Sequence, residues 1–168
     1  PNSMRRITVL TGSVSLFLLL AMLGAPFVAP VAAGQEIRRV PTLGYPTIQA
    51  AVDAANPGDI IQVASGTYYE HLVVNKSLTI VGENSSTTII DGNGTGIVVR
   101  INAHDVEFRG FTVQNAGDSP NSSILLGSCV RNTIRDNIIR NNAYGITLLR
   151  SNNSIIVGNT IMNNSWAG

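Results

Sequence analysis

Arg109 and Arg135 occupy the same position in two copies of one phrase, 26 residues apart. If the copies are successive turns of a repeat, the two guanidinium groups stand one above the other on an outer face. A column of planar five-donor forks is suited to gripping carboxylates, such as those of a uronic-acid polymer. The competing use of such a column is local: a solvated edge in which each Arg pairs with a nearby acid. Two flat side chains join the candidates for sugar contact. Tyr144 precedes Gly145-Ile146 at a corner of the chain, Trp166 follows the last repeat, and an exposed ring offers flat apolar area with a polar handle.

Hydrolytic chemistry has less to build on. A glycosidase flanks the scissile bond with two carboxylates, yet Asp105, Glu107, Asp118 and Asp136 fall at unlike positions of the repeat, and Glu107 aligns with Thr133. A lyase would need an acidic cluster to hold calcium, and none is visible. His71, His104 and Met162 share no column, which leaves a soft metal without a ligand set. Cys129 is the only cysteine, so neither an intrachain disulfide nor a Cys-based zinc site can form. No catalytic residue, metal or cofactor is expected.

The elements that must position these residues are legible in the repeat itself. Residues 106–115, 132–141 and 154–163 align without gaps at offsets of 26 and 22, and residues 78–82 fit 28 residues before the first block. Periods in the twenties belong to solenoids. Apolar residues fall two apart, as in Leu78/Ile80, Val106/Phe108 and Phe111/Val113, and Gly, Asn or Asp punctuates them. That is the pattern of short strands, not of helices. Stacked coil on coil, such strands form parallel sheets at about 4.8 Å per step, with inward side chains in continuous ladders. The alignment also sets Asn137 on Asn159, Asn141 on Asn163 and Asn142 on Asn164. Asn tolerates the left-handed backbone of a corner, and its amide can bond the Asn one coil away, so these pairs are expected to be structural ladders.

The 168 residues are 44% hydrophobic and 12% charged with a net charge of +1, which suits one domain and is poor in charge for a soluble protein. After residue 128, Arg131, Arg135, Arg140 and Arg150 face only Asp136, but no aromatic residues interleave them and no nucleic-acid partner is expected. Residues 1–33 read as an export signal: Arg5-Arg6 is basic, residues 7–23 are apolar, and Val31-Ala32-Ala33 offers the small residues of a cleavage site. The apolar run is near the lower length of a membrane span, so an uncleaved anchor is the alternative and the sole expected membrane contact. Either way the remainder is expected outside the cytoplasm: extracellular, at the cell surface or periplasmic.

Residues 34–62 follow a different pattern, read as an N-terminal cap. Ile48, Ala51, Val52 and Ala55 share one face of a short helix that starts near Pro46 and stops at Asn56-Pro57-Gly58. Its expected use is to cover the open end of the solenoid. Asp59-Ile60-Ile61-Gln62-Val63 is expected to enter the first strand, with coils filling residues 63–168.

Pro46-Thr47-Ile48-Gln49-Ala50-Ala51-Val52-Asp53-Ala54-Ala55, Pro57-Gly58-Asp59, Gly66-Thr67-Tyr68-Tyr69-Glu70, Lys76-Ser77-Leu78-Thr79-Ile80-Val81-Gly82 and Thr88-Ile89-Ile90-Asp91-Gly92 resemble the opening of the pectin-lyase-like right-handed parallel β-helix superfamily. The later Asn-rich coils resemble repeats of its NosD-like and carbohydrate-binding/sugar-hydrolase members. The resemblance covers residues 44–168 and implies an all-β fold: a right-handed parallel β-helix solenoid with an N-terminal capping α-helix. It leaves function open, because this architecture hosts lyases, esterases, hydrolases and noncatalytic proteins. Gly66-Thr67-Tyr68-Tyr69-Glu70 and Phe111-Thr112-Val113-Gln114-Asn115-Ala116-Gly117 also resemble segments of pectin methylesterases, which implies an oxyanion-holding role for Gln114. Those enzymes then require a Gly-Tyr-Gln-Asp segment and a second Asp, whereas this chain continues Asn121-Ser122-Ser123-Ile124-Leu125-Leu126-Gly127-Ser128-Cys129-Val130.

The expected function is therefore an exported, noncatalytic β-helix module, a surface or secreted scaffold with polysaccharide or cell-surface glycan as its partner. The alternative is the N-terminal part of a carbohydrate-active enzyme whose catalytic coils lie beyond residue 168. Because Ser165-Trp166-Ala167-Gly168 falls mid-pattern, further β-helix coils are an expected neighbour of the last one.

Overall fold

In the computed structural model, which describes residues 34–166, alternating apolar residues form short strands wherever a left-handed residue does not turn the chain. The export signal expected at residues 1–33 lies outside the described residues. Among the described residues no helix is long and apolar enough to cross a membrane.

Three parallel sheets result. The first stacks β1 (Ile37–Val40), β2 (Ile60–Val63), β5 (Thr79–Gly82), β8 (Glu107–Arg109), β11 (Thr133–Arg135) and β14 (Ile155–Val157). The second holds β3 (Gly66–Tyr68), β6 (Thr88–Thr95), β9 (Thr112–Ala116), β12 (Ile138–Arg140) and β15 (Thr160–Met162). The third holds β4 (Leu72–Val74), β7 (Val99–Ile101), β10 (Ser122–Gly127) and β13 (Tyr144–Leu149). The register reproduces the offsets of the repeat: Ile80 pairs with Phe108, Phe108 with Ile134 and Ile134 with Ile156. Because each step is in register, like positions stack and the interior is a set of apolar columns. Ile61, Ile80, Phe108 and Ile134 form one, and Ile90, Val113 and Ile139 another, all fully buried. Each such side chain contributes about 1.5–3 kcal/mol relative to exposure. Phe108 and Phe111 stack across a corner with ring centroids 4.6 Å apart.

Six corners in two successive coils follow one rule. A residue with positive φ turns the chain, and the next residue points inward. In one coil the pairs are Asp105 then Val106, Gly110 then Phe111, and Asn115 then Ala116. One coil on they become Arg131 then Asn132, Asp136 then Asn137, and Asn141 then Asn142. The inward Asn reaches back to the coil before it: the Oδ1 atoms of Asn132, Asn137 and Asn142 accept the N–H groups of Val106, Phe111 and Ala116 at 2.8, 3.0 and 2.9 Å. The next layer repeats this, with Asn137 Nδ2 donating to Asn159 Oδ1 and Asn142 Nδ2 to Asn164 Oδ1, both at 3.0 Å. Asn141 and Asn163 differ from the expectation of a side-chain ladder. With φ of 57° and 54° they supply the turn, and the residue after each makes the bond. A fourth corner places buried Cys129 beside Ser151, Sγ to Oγ 3.3 Å.

At the N-terminal end, α1 (Ile48–Ala54) follows Thr47, whose Oγ1 accepts the N–H of Ala50 at 3.1 Å, and it buries Ile48, Ala51 and Val52. The solenoid begins one coil earlier than the alternation suggests, because β1 lies within the stretch read only as cap, and β2 spans the expected boundary at residue 62. The physical reason is Arg38. It stands in register with Ile61, in an inward column where an apolar residue is the usual occupant, and is only 8% exposed. Its charge is met by Glu36 at 2.8 Å and Asp59 at 3.2 Å, and its Nη2 donates to Ala54 O at 3.1 Å. A buried cation is tolerable only when so paired.

Candidate functional site

The outward residues of the first sheet form two register columns, one with Ile60, Thr79, Glu107 and Thr133, the other with Arg39, Gln62, Val81, Arg109, Arg135 and Val157. Arg109 and Arg135 are thus brought together one coil apart. Glu107 serves both. Its Oε1 accepts Arg135 Nε at 3.0 Å and Nη2 at 2.6 Å, and lies 2.9 Å from Arg109 Nε, an ion pair whose N–H is not aligned for a hydrogen bond. Arg135 also donates Nη1 to Asp136 at 2.6 Å, and Asp136 followed by Glu107 pushes the Arg135 guanidinium further up. Arg135 is accordingly committed to its own sheet, whereas Arg109 shares one carboxylate oxygen and faces a groove.

That groove, about 550 Å³, runs over the C-terminal ends of β1, β2, β5 and β8. Arg39 and Arg109 stand at opposite ends, three coil steps or about 14 Å apart, and Gln62, Thr42, Val81 and Glu83 line the groove with them. Arg39 makes no ion pair among the described residues. Glu83 is already engaged: the N–H and hydroxyl of Ser65 each donate to it at 2.8 Å, and the backbone bond, then the hydroxyl, hold its carboxyl below the usual range. The groove therefore offers two guanidinium groups and an amide to a ligand that carries carboxylates.

Tyr144 and Trp166 are elsewhere. Tyr144 opens β13 in the third sheet, half-buried, with its hydroxyl 3.5 Å from Ser119 Oγ. Trp166 lies on the last coil with its N–H bonded to Ala143 O, and its ring is exposed. The four residues expected to touch carbohydrate fall on two faces, and the groove residues Arg39, Gln62 and Glu83 were not among them. Their signal is the column itself, which becomes visible once β1 is aligned as a coil.

Among the described residues no group of three His, Cys, Asp or Glu side chains could hold a metal ion. The sheet topology, the register and the corners meet in one comparison, since residues 65–168 match the family described as the right handed beta helix region. The chain belongs to the right-handed β-helix family. In structure this β-helix is similar to a pectin methylesterase mutant in complex with hexasaccharide IV, with a TM-score of 0.56 and 16% identity over 76% of this chain and 50% of that one. It is also similar to a pectin methylesterase in complex with hexasaccharide VII, with a TM-score of 0.56 and 14% identity over 70% of this chain and 46% of that one. The β-helix spans about half the length of these structures, and at such identity the likeness is one of fold. No curated protein sequence matches it.

Gln114, the residue marked by the resemblance to esterases, lies on the second sheet of the β-helix with both ends of its amide engaged. Its Nε2 donates to Asp91 Oδ2 at 2.7 Å and its Oε1 accepts Arg140 Nε at 3.0 Å. Asp91, nearly buried, also accepts from Asn115 Nδ2 and the N–H of Asn93, each at 2.8 Å. Three donors occupy the two oxygens of this carboxylate, and no second acid is bonded into the cluster. The arrangement ties three coils together and lacks the partner acid that ester hydrolysis requires.

Proposed function

We propose that this chain is an exported, noncatalytic β-helix module, a surface or secreted scaffold that binds an acidic polysaccharide along the groove of its first sheet. The observation that carries the reading is the pair of guanidinium groups, Arg39 and Arg109, facing one groove from opposite ends while the acid between them, Glu83, is held by Ser65. Guanidinium forks match carboxylate geometry, and a ligand spanning both would gain from each contact. The hexasaccharide complexes of the pectin methylesterases similar to it in fold make a glycan partner the natural class to test. A glycan array that includes pectin and alginate, run beside a turnover assay on both, separates binding from catalysis. Retention of uronate polymers with no product formed is the expected result, and turnover that persists through purification would overturn the noncatalytic reading.

A second reading, the N-terminal part of a carbohydrate-active enzyme, draws on the same two structures, which are about twice as long as the matched segment. It requires acids on further coils, because the Asp91, Gln114 and Arg140 cluster is closed on itself.

A further inference from the structure

Asparagine followed two residues later by Ser or Thr, with no Pro between them, is the acceptor pattern of N-linked glycans. Between residues 75 and 123 the pattern occurs at Asn75-Lys76-Ser77, Asn84-Ser85-Ser86, Asn93-Gly94-Thr95 and Asn121-Ser122-Ser123. The fold sorts these triplets. Asn75 follows β4, Asn84 lies between β5 and β6, and Asn93 turns the far end of β6 with a φ of 51°, so one coil presents an acceptor triplet at each of its corners. Asn75, Asn84 and Asn93 are exposed, and among the described residues their Nδ2 atoms make no hydrogen bond. Their local roles use other atoms: Asn84 accepts the N–H of Ser86 on Oδ1 at 2.8 Å, and Asn93 donates its backbone N–H to Asp91. Open space surrounds the neighbouring Gly94. Asn121 differs on each count. It is half-buried, its Nδ2 donates to Asp118 O at 2.9 Å, and the hydroxyl residue of its triplet, Ser123, is fully buried.

We propose that Asn75, Asn84 and Asn93 carry N-linked glycans and that Asn121 does not. In the transfer, Nδ2 bonds to the anomeric carbon of the first sugar of a lipid-linked oligosaccharide. The bond from that carbon to the donor's diphosphate breaks, its electron pair leaves with the diphosphate, and the amide gives up one proton to a base of the transferase. Bulky hydrated groups at the corners of one coil would supply the solubility that a chain with 12% charged residues lacks. The inference rests on the export reading, because such triplets are modified in secreted proteins, and it does not depend on the groove.

Peptide mass spectrometry of the protein isolated from its native host reads each site directly. Glycan mass is expected on the peptides that hold Asn75, Asn84 and Asn93, and none on the peptide that holds Asn121. Asn75→Gln, Asn84→Gln and Asn93→Gln should each remove one glycan from the intact mass. Because Asn93→Gln also strains a left-handed turn, Thr95 supplies an independent check: Thr95→Ala should leave Asn93 bare, and Thr95→Ser should keep its glycan. A chain recovered outside the cytoplasm with any of Asn75, Asn84 and Asn93 bare would overturn the proposal alone. A chain recovered only in the cytoplasm would overturn it together with the export reading, and glycan on Asn121 would overturn it as well.

Discussion

Glu70 and Lys76 flank β4 and hold the two ends of α1. Glu70 accepts the N–H groups of Ile48 and Gln49, each at 2.9 Å, and Lys76 Nζ donates to the carbonyls of Val52, Asp53 and Ala55 at 3.3, 2.7 and 2.9 Å. An acid at the N-terminus and a cation at the C-terminus both oppose the helix dipole. They also satisfy backbone groups that helix termini leave open. A seven-residue helix does not persist alone in water, so α1 exists as a cap because the coil beneath it supplies both charges. Glu70→Gln and Lys76→Met should each lower stability by about 1–2 kcal/mol. Urea unfolding of the two variants and the double variant checks this, and a double loss smaller than the sum would show that the two grips act on one element.

Gly82 and Gly110 face each other on adjacent coils. A Cβ on Gly82 would collide with the Gly110 carbonyl oxygen, one on Gly110 would collide with that of Gly82, and Gly110 has a φ of +80°. Either Ala variant should cost roughly 2 kcal/mol or more, through overpacking at both and backbone strain at Gly110. Gly94, with a φ of +72° and open space around it, is the control: Gly94→Ala should cost only the backbone preference, about 1–2 kcal/mol. Thermal melts of the three variants would rank them.

The Asn columns predict an asymmetry between two asparagines of one coil. Asn137 is buried and satisfies the N–H of Phe111 and the carbonyl of Phe108 as well as Asn159. Asn137→Ala leaves these groups unpaired, with an expected loss of about 2–4 kcal/mol. Asn141→Gly should change stability by only a few tenths of a kcal/mol, because its role is a left-handed φ that Gly adopts freely. Equal losses in the two variants, read by denaturant midpoints, would contradict the corner rule.

Acid should loosen the first coil. The Asp59 carboxyl is held below its ordinary value of 3.8, first by the N–H of Glu36 and then by that of Asn56, with Arg38 and Lys76 adding to the effect against the penalty of burial. A depressed folded value means that the unfolded state binds the proton first. The stability Asp59 contributes is therefore complete above about 4 and is lost as pH falls through the folded value. Stability measured between neutral pH and strong acid should show this loss, and Asp59→Asn should reduce it.

Much of the fold was legible because a solenoid writes its geometry as a period. The offsets of 28, 26 and 22 became the register of β5, β8, β11 and β14 without a shift. What stayed hidden was what breaks the period for a local reason. Arg38 put a cation where alternation calls for an apolar residue, so β1 read as cap, and with it Arg39 and its end of the groove were lost from view. Asn141 and Asn142 are adjacent and alike, and only the backbone φ separates the residue that turns from the residue that bonds. The Arg109 and Arg135 column was readable, but not the sharing of Glu107, which depends on side-chain reach across a coil.

If Arg39 and Arg109 bind a carboxylate polymer across one groove, both guanidinium groups contribute to its affinity. Isothermal titration of the wild type and of Arg39→Ala, Arg109→Ala and the double variant with polygalacturonate, at low and high salt and beside a neutral glucan, tests it most directly. Binding to the acidic polymer alone is expected, weakened by salt and reduced severalfold by each substitution, about 1 kcal/mol apiece for partly exposed charges. Affinity unchanged in the double variant, or equal affinity for the neutral glucan, would contradict it.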